Sequence, residues 1–184
     1  DILGKEEGAK VGNFCLLRPT LEDIILLGFK RRTQILYPKD SFYTAFKLGL
    51  DRNKRLLEFG VGSGASTAVF STLAGEVWAY EVRQEHYKTA LKNWENFRLC
   101  SNVRLFNEDF ANADLEENFF DAVFIDVKDP VPYMDKVYKV LKPGATLASL
   151  LPTTNQLSAL IKAIEGYFCH IEILEIMHRH YKPN

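Results

Sequence analysis

From about residue 54 onward, short apolar runs alternate with longer stretches of helical length and composition. Apolar runs rich in Val, Ile and Phe predict buried strands, and the longer stretches between them predict amphipathic helices. This alternation predicts an α/β protein with a doubly wound, mostly parallel sheet and helices on both faces. The predicted strands are Arg55–Phe59, Val77–Glu81, Val103–Phe106, Phe120–Asp126 and Thr146–Leu151, with a sixth over residues 169–177.

The predicted helices lie between these strands. They are Ala65–Leu73, Gln84–Leu99, Val131–Leu141 and Thr153–Tyr167. Thr153 or Thr154 is suited to cap the last helix. The first 50 residues differ in texture, because Gly and Pro are scattered there and only Pro19-Thr20 indicates a helix start. The pattern therefore predicts two parts, residues 1–50 and residues 51–184.

The stretch LLEFGVGSGAST at 56–67 places three glycines between the first predicted strand and the first predicted helix. Glycines there let the backbone turn sharply and let a ligand approach closely, while amides at the helix N-terminus face the ligand. Gly60, Gly62 and Ala65 satisfy the dinucleotide pattern, and Glu81 ends the next strand, where a carboxylate can hold ribose hydroxyls. The turn predicts a nucleotide-like ligand but does not separate NAD from other adenosine ligands.

Further acidic residues stand at or near predicted strand ends. Glu58 lies two residues before Gly60, where a carboxylate would repel a pyrophosphate but suits a cationic ligand. S-adenosylmethionine carries both a sulfonium and an ammonium group. Asp109 follows the third strand and Asp126 ends the fourth, at the edge where open α/β sheets bind ligands. Asp109 could instead cap the next segment, and Glu58 could pair with a neighbouring lysine.

Composition limits the classes of protein without choosing among them. Of 184 residues, 47% are hydrophobic, which suffices for a globular core. With 23 Lys and Arg against 24 Asp and Glu, the net charge of -1 gives no overall attraction to nucleic acid. A polyanionic partner would need local basic clusters, each of which has a solvated surface as its alternative. The clusters are Lys30-Arg31-Arg32, Arg52-Lys54-Arg55 and the histidine-rich run His178–Lys182.

The sequence contains no apolar run approaching about 18 residues, the length of a membrane span. It also lacks the pattern of a secretory signal, so we expect a soluble, cytoplasmic protein. Cys15, Cys100 and Cys169 are far apart and show no metal-ligand spacing. We predict that all three are reduced, buried thiols.

The motifs GVGSG and LKPG, together with Glu81 and the strand and helix alternation, resemble class I S-adenosylmethionine-dependent methyltransferases over roughly residues 54–177. More narrowly, several stretches resemble the tRNA (adenine-N1)-methyltransferases, which modify adenine 58 in the T loop. They are LLRPTLED at 16–23, QILYPKD at 34–40, YEVRQEHYKTA at 80–90, FDAVFIDVKDP at 120–130 and LPTTNQ at 151–156. The resemblance implies S-adenosylmethionine as cofactor, tRNA as partner and a homotetramer.

Members of that family also have a small β-rich N-terminal domain and a final hairpin strand, and this sequence departs from the pattern at both ends. DILGKEEG matches only the tail of the N-terminal domain. We therefore expect residues 1–50 to be a connecting segment, made of that tail plus helices, and residues 51–184 to be the cofactor-binding catalytic domain. No seventh strand follows MHRHYKPN, so we expect an incomplete chain whose sheet lacks its last strand.

The resemblance assigns roles to single residues, and none of them is a metal ligand. The cofactor-binding set is Gln34, Glu58, Gly60, Val61, Gly62, Ser63, Gly64, Glu81, His86, Asp109 and Asp126. Glu81 would bind the ribose, Asp109 would face the cofactor adenine, and Gln34 would touch the methionine part. Tyr37 would stack on or hydrogen-bond the target base. Each of three assignments has an alternative. Gln34 could be an ordinary polar loop residue, Tyr37 could simply pack beside Pro38, and His86 could be a solvated helical histidine.

We assign Asp126 to the chemistry and name Tyr37 as a second catalytic residue. Neutral adenine already has a lone pair on N1, so no strong base is needed, but methylation makes the ring cationic and acidifies the exocyclic amine. A carboxylate that accepts from this amine stabilises the charge as it develops. Because N1 lies on the pairing edge, the base must swing out of the tRNA fold. Phe42, Tyr43 and Phe46 could form aromatic walls of the pocket for the target base. The favoured interpretation is that they form the apolar face of a helix.

Two other functions stay open on the sequence alone. An NAD-dependent oxidoreductase would explain the glycines and Glu81, but it leaves Glu58 and Asp126 unexplained. A non-catalytic, tRNA-binding methyltransferase-like subunit would not need the intact glycine turn, Glu81 or Asp126.

Overall fold

The computed structural model describes residues 2–181. The strands are β1 (Lys10–Val11), β2 (Phe14–Cys15), β3 (Arg55–Phe59), β4 (Glu76–Tyr80), β5 (Val103–Phe106), β6 (Phe120–Ile125) and β7 (Leu141–Ser149). β1 and β2 form a small antiparallel ribbon. The other five strands form one parallel sheet in the order β5-β4-β3-β6-β7. The predicted doubly wound parallel sheet is confirmed.

The helices are α1 (Leu21–Asp23), α2 (Pro38–Lys47), α3 (Ala65–Leu73), α4 (Gln84–Phe97), α5 (Met134–Val140) and α6 (Thr154–Ala163). α1 continues into a single π-helical turn, Ile24–Gly28. Thr20 caps α1 in a reciprocal capping box with Asp23, as the Pro19-Thr20 start predicted. Thr153 caps α6, where its hydroxyl accepts from the backbone of Gln156.

The order of the strands creates a crevice at their carboxyl ends. The chain leaves β3 towards β4 on one side and returns to β6 on the other side. Loops that follow β3 and β6 therefore diverge, which is where open α/β sheets bind ligands. The backbone amide of Asp126 donates to the carbonyl of Phe59 at 3.0 Å, so the ends of these two strands are tied together at the crevice.

Each face of the sheet carries its own hydrophobic core, because alternate strand residues point to opposite faces. Leu56 packs with residues of α2, α3 and α4 on one face. Leu57 and Phe59 pack with residues of α5 and α6 on the other. Burial of this apolar surface is the main favourable contribution to folding.

The part before residue 50 packs on the first of these cores. Ile25, Phe29, Ala45 and Leu48 are buried in the same cluster as α3 and α4. The proposed division at residue 50 stays a prediction, and a continuous core runs across it.

Several predicted bounds are confirmed and others need correction. The strands Arg55–Phe59 and Val103–Phe106 and the helix Ala65–Leu73 have the predicted bounds. The helix predicted over 131–141 is a 3-10 turn followed by α5, since Pro132 lies in its first turn. β7 begins at Leu141 instead of Thr146, because Leu141 pairs with Phe120 before the register shifts.

The predicted sixth strand over residues 169–177 is wrong. This segment has no strand pairing among the described residues and lies along α2. Lys39 donates to the carbonyl of Ile176 at 2.8 Å, and Lys47 forms an ion pair with Glu172. The β-branched residues of the segment 169–177 favour an extended backbone, but an extended segment becomes a strand only when another strand pairs with it.

The prediction for the cysteines is also partly wrong. Cys15 and Cys169 are exposed, and only Cys100 is partly buried, with its sulfur 3.5 Å from the Ser71 hydroxyl. All three are free thiols. No helix within residues 2–181 has the length and apolar character needed to cross a membrane.

Candidate active site

A cavity of about 460 Å³ lies in the crevice at the carboxyl ends of β3, β4, β5 and β6. The segment 33–36, which precedes α2, forms part of its wall. Most of the residues that the sequence singled out line this cavity together. They are Gln34, Gly60, Val61, Gly62, Ser63, Glu81, His86, Asp109 and Asp126.

Three of the singled-out residues do not line the cavity. Glu58 is 0% exposed and lies inside the protein beneath the glycine turn. Gly64 is the N-cap of α3. Tyr37 is the N-cap of α2 and is 49% exposed. Direct contact of these three with a ligand in the cavity stays a prediction, and for Glu58 its burial favours a supporting role.

The glycine turn after β3 can be made only by glycine at two positions. Gly60 has a φ of 93°, and a Cβ there would clash with the carbonyl oxygen of Asp126. Gly64 has a φ of 81°, and a Cβ there would meet the Trp94 indole at 2.5 Å. Positive φ is strained for other residues, so both conformation and space require glycine.

Two side chains of α4 hold the glycine turn from behind. The Asn93 amide donates to Ser63 O at 3.0 Å, and the Trp94 indole N–H donates to Gly64 O at 3.0 Å. Asn93 also accepts from Lys30 N and donates to Lys30 O, both at 2.9 Å, which ties the 29–36 segment to the turn. The sequence gives one signal for this contact, an asparagine in the middle of a predicted helix.

Glu81 is 95% buried and lines the cavity, where its carboxylate holds two backbone amides. One carboxylate oxygen accepts from Gly62 N and the other from Arg83 N, each at 2.8 Å. His86 lies beside it, with Nδ1 3.8 Å from Glu81 Oε2. A carboxylate has about four lone-pair sites, so Glu81 can still accept two hydrogen bonds from a ligand.

Asp126 shares the cavity with Glu81. Burial raises the pKa of Asp126 to about 6, and the negative charge of Glu81 adds to the rise. A cationic ligand between the two carboxylates would relieve this repulsion, whereas an anionic ligand would increase it. The electrostatics of the cavity therefore favour a positively charged ligand.

Asp109 also lines the cavity and lies in the loop after β5. Its Oδ1 accepts from Ala111 N at 2.9 Å and caps the turn Phe110–Asn112, so the capping alternative from the sequence is confirmed. Its Oδ2 lies 3.4 Å from the Tyr133 hydroxyl. Lys136 holds the same loop through the carbonyls of Phe110, Ala111 and Ala113.

Aromatic rings support this loop. The rings of Phe59 and Phe110 are stacked with centroids 4.6 Å apart, and Tyr133 packs against both. Burial and the nearby charge of Asp109 raise the pKa of Tyr133, so its hydroxyl remains a donor. Sequence reasoning missed Tyr133 and Lys136, which contact the loop from α5 and its preceding turn, far along the chain.

Glu58 lies below the turn on the α3 face of the sheet. The Ser66 hydroxyl donates to Glu58 Oε1 at 2.6 Å. Burial raises the pKa of Glu58 to about 7, against the opposing effect of the Ser66 and Thr67 hydroxyls, and Asp126 adds to the rise. The Thr67 hydroxyl and Glu58 Oε2 nevertheless complete no hydrogen bond of ordinary geometry within residues 2–181. The alternative of a lysine partner for Glu58 is wrong, because hydroxyls surround it.

The family model described as "tRNA methyltransferase complex GCD14 subunit" matches residues 12–184. The chain belongs to this family. It is 36% identical over 163 residues to the tRNA (adenine(58)-N(1))-methyltransferase TrmI of Thermus thermophilus, covering 86% of the chain and 64% of that protein. It is 33% identical over 181 residues to the catalytic subunit TRM61 of Candida albicans, covering 92% of the chain and 53% of that protein. The chain thus spans somewhat more than half of these relatives.

Solved structures agree with this family assignment. The tRNA (m1A58) methyltransferase TrmI of Aquifex aeolicus superposes with a TM-score of 0.94 at 56% identity, covering 97% of the chain and 72% of that structure. A SAM-dependent O-methyltransferase of Thermotoga maritima gives 0.83 at 38% identity, covering 91% and 63%. The fold is therefore the Rossmann-like fold of class I methyltransferases, and these comparisons give no support to an oxidoreductase.

Replacing Glu58 by Gln should stabilise the protein, by an amount that grows as the pH rises from about 4.5 and levels off above about 7. Because the pKa of Glu58 is raised by folding, the carboxyl lowers the free energy of unfolding progressively from about pH 4.5 to about pH 7, and the full cost applies above about pH 7. Gln keeps an acceptor for Ser66 and supplies a donor towards Thr67. We expect the free energy of unfolding to rise by up to about 3 kcal/mol near pH 8.5.

Urea unfolding at about pH 8.5 and about pH 5 measures this difference. Glu117→Gln, at an exposed carboxylate, is the matched control and should change little at either pH. An equal gain for Glu58→Gln at both pH values would contradict a charged, destabilising Glu58.

Proposed function

We propose that this protein transfers a methyl group from S-adenosylmethionine to N1 of adenine 58 in the T loop of tRNA. The observation that best supports the proposal is the cavity at the β3 and β6 ends, which is lined by the glycine turn and by the two carboxylates Glu81 and Asp126. The family membership and the printed activity of its relatives support the same function.

The residues present fit S-adenosylmethionine. Gly60 and Gly62 line the cavity, and the Ser63 hydroxyl is buried in the cavity wall without a partner among the described residues. Glu81 would accept from the ribose hydroxyls and Asp109 from the amine of the cofactor adenine. When bound, the cofactor supplies an electrophilic methyl group on a positively charged sulfur.

Asp126 would act on the target base. Its carboxylate would accept from the exocyclic amine of adenine and stabilise the positive charge that develops on the ring. This interaction is stronger in the transition state than in the ground state, so it raises the rate more than the affinity. Burial of Asp126 strengthens the effect, because water screens the two charges less.

We also infer a homotetramer that works in the cytoplasm. Large apolar side chains on α2 and on the segment beside it support an assembly, since Phe46 is 77% exposed and Met177 is 91% exposed. Light scattering coupled to gel filtration would give the mass of the particle, and a monomer at micromolar concentration would contradict the tetramer.

Replacing Glu81 by Ala should weaken S-adenosylmethionine binding by about 10-fold to 150-fold, because ribose hydroxyls lose a charged acceptor worth about 1.5–3 kcal/mol. The variant also frees Gly62 N and Arg83 N, so its thermal midpoint must be measured beside the dissociation constant. Glu85→Ala removes an exposed carboxylate four residues along and serves as the control. An unchanged dissociation constant for Glu81→Ala would remove Glu81 from the cofactor site.

Replacing Asp126 by Asn should lower the single-turnover rate of methyl transfer by about 10²-fold or more at saturating cofactor and tRNA. Asn keeps the size and one acceptor but loses the charge. At limiting cofactor, kcat/KM of the natural protein should also fall as the pH drops through about 6, since Asp126 of the ligand-free protein becomes protonated, and the Asn variant should lose this dependence.

Asp114→Asn, at an exposed position that does not line the cavity, is the matched control and should keep the natural rate. A near-natural rate for Asp126→Asn would mean that another group accepts from the adenine amine, and residues near Tyr37 would then be examined first.

A further inference from the structure

Exposed cations border one side of the cavity. Lys30, Arg31 and Arg32 directly precede Thr33 and Gln34, which line the cavity wall. Asn93 holds the backbone of Lys30 through two hydrogen bonds of 2.9 Å, so this basic stretch is fixed against α4 at the rim.

α4 extends the same charged surface away from the cavity. Arg83, just before the helix, lines the cavity, and Lys88 and Lys92 lie four residues apart on one exposed side of the helix. Residues 30–34 and 83–97 together contain six Lys or Arg and two Glu, in a chain whose net charge is -1. The surface is thus locally basic although the whole protein is nearly neutral.

These six cations are largely free to meet a partner. Within residues 2–181 the ion pair they make is Arg32 with Glu85 at 3.2 Å, and both side chains are mostly exposed. Exposed pairs of this kind contribute little free energy and are readily exchanged. Arg31 donates to Leu26 O, which leaves its other guanidinium N–H groups outward.

The other basic cluster of the described chain differs in both place and use. Arg52, Lys54 and Arg55 lie at the amino end of β3, so the length of the strand separates them from the cavity. Arg55 stacks on Phe119 at 4.4 Å and pairs with Glu76, and its side chain therefore already has a role in the fold. The run His178–Lys182 falls partly outside the described residues.

We propose that Lys30, Arg31, Arg32, Arg83, Lys88 and Lys92 form the surface that binds the phosphate backbone of the substrate RNA next to its target base. The inference rests on the proposed function, and it specifies which side of the cavity the RNA occupies. Phosphates held by this surface would lie beside the rim at residues 33 and 34, so a base swung out from the same strand would reach the cavity.

The test compares two double variants that each remove two positive charges. Lys88→Gln with Lys92→Gln alters the proposed surface on a helix that tolerates Gln, and Arg52→Gln with Lys54→Gln alters the distant cluster. We measure tRNA binding at several salt concentrations, together with S-adenosylmethionine binding as a check that the cavity is intact.

We expect the Lys88/Lys92 pair to weaken tRNA binding by about 10-fold and to reduce the salt slope of binding by about one to two. The Arg52/Lys54 pair should change binding by less than about 2-fold, and both should bind the cofactor normally. Lys30→Gln with Arg32→Gln should act like the Lys88/Lys92 pair.

Equal losses of tRNA affinity in the Lys88/Lys92 and Arg52/Lys54 variants would show that binding follows net charge. No loss in the Lys88/Lys92 and Lys30/Arg32 variants would place the RNA elsewhere. Either result would overturn the proposed surface. A natural protein that binds the cofactor but no tRNA would instead overturn the proposed function, and the surface with it. The two failures are therefore distinguishable.

Discussion

The cavity depends on how the glycine turn after β3 is held. Gly62 N donates to Glu81, which directly follows β4, and the side chains of Asn93 and Trp94 on α4 donate to the carbonyls of Ser63 and Gly64. Glycine loses much conformational freedom on folding, so a turn with several glycines at positive φ would be mobile without these hydrogen bonds. Fixing the turn from two directions keeps its remaining polar groups aimed at the cavity.

This arrangement concentrates negative charge at one place. Glu81 and Asp126 line the cavity, and Glu58 lies beneath it, where burial raises its pKa to about 7. Each buried carboxylate costs free energy, and the repulsion between them adds to the cost. A ligand that carries positive charge recovers part of this free energy on binding, which gives the site a preference for a cationic cofactor over an anionic dinucleotide.

The sequence predicted the regular parts well, since strand and helix periodicity and the glycine pattern are local signals. It could not show that Asn93 and Lys136 hold cavity loops, because these contacts join residues far apart in the chain. The prediction for Glu58 considered its distance from Gly60 along the chain, whereas its place in the central strand, where residues on both faces are buried, decides that it is buried. The segment 169–177 has strand-like composition, but pairing requires a neighbour that composition does not specify.

The preference of the cavity for a cationic cofactor can be measured by isothermal titration calorimetry of the natural protein with S-adenosylmethionine and, separately, with NADH. The glycine turn alone is compatible with either ligand, so only the carboxylates distinguish them. We expect saturable binding of S-adenosylmethionine and no detectable binding of NADH. Binding of NADH without binding of S-adenosylmethionine would contradict that preference.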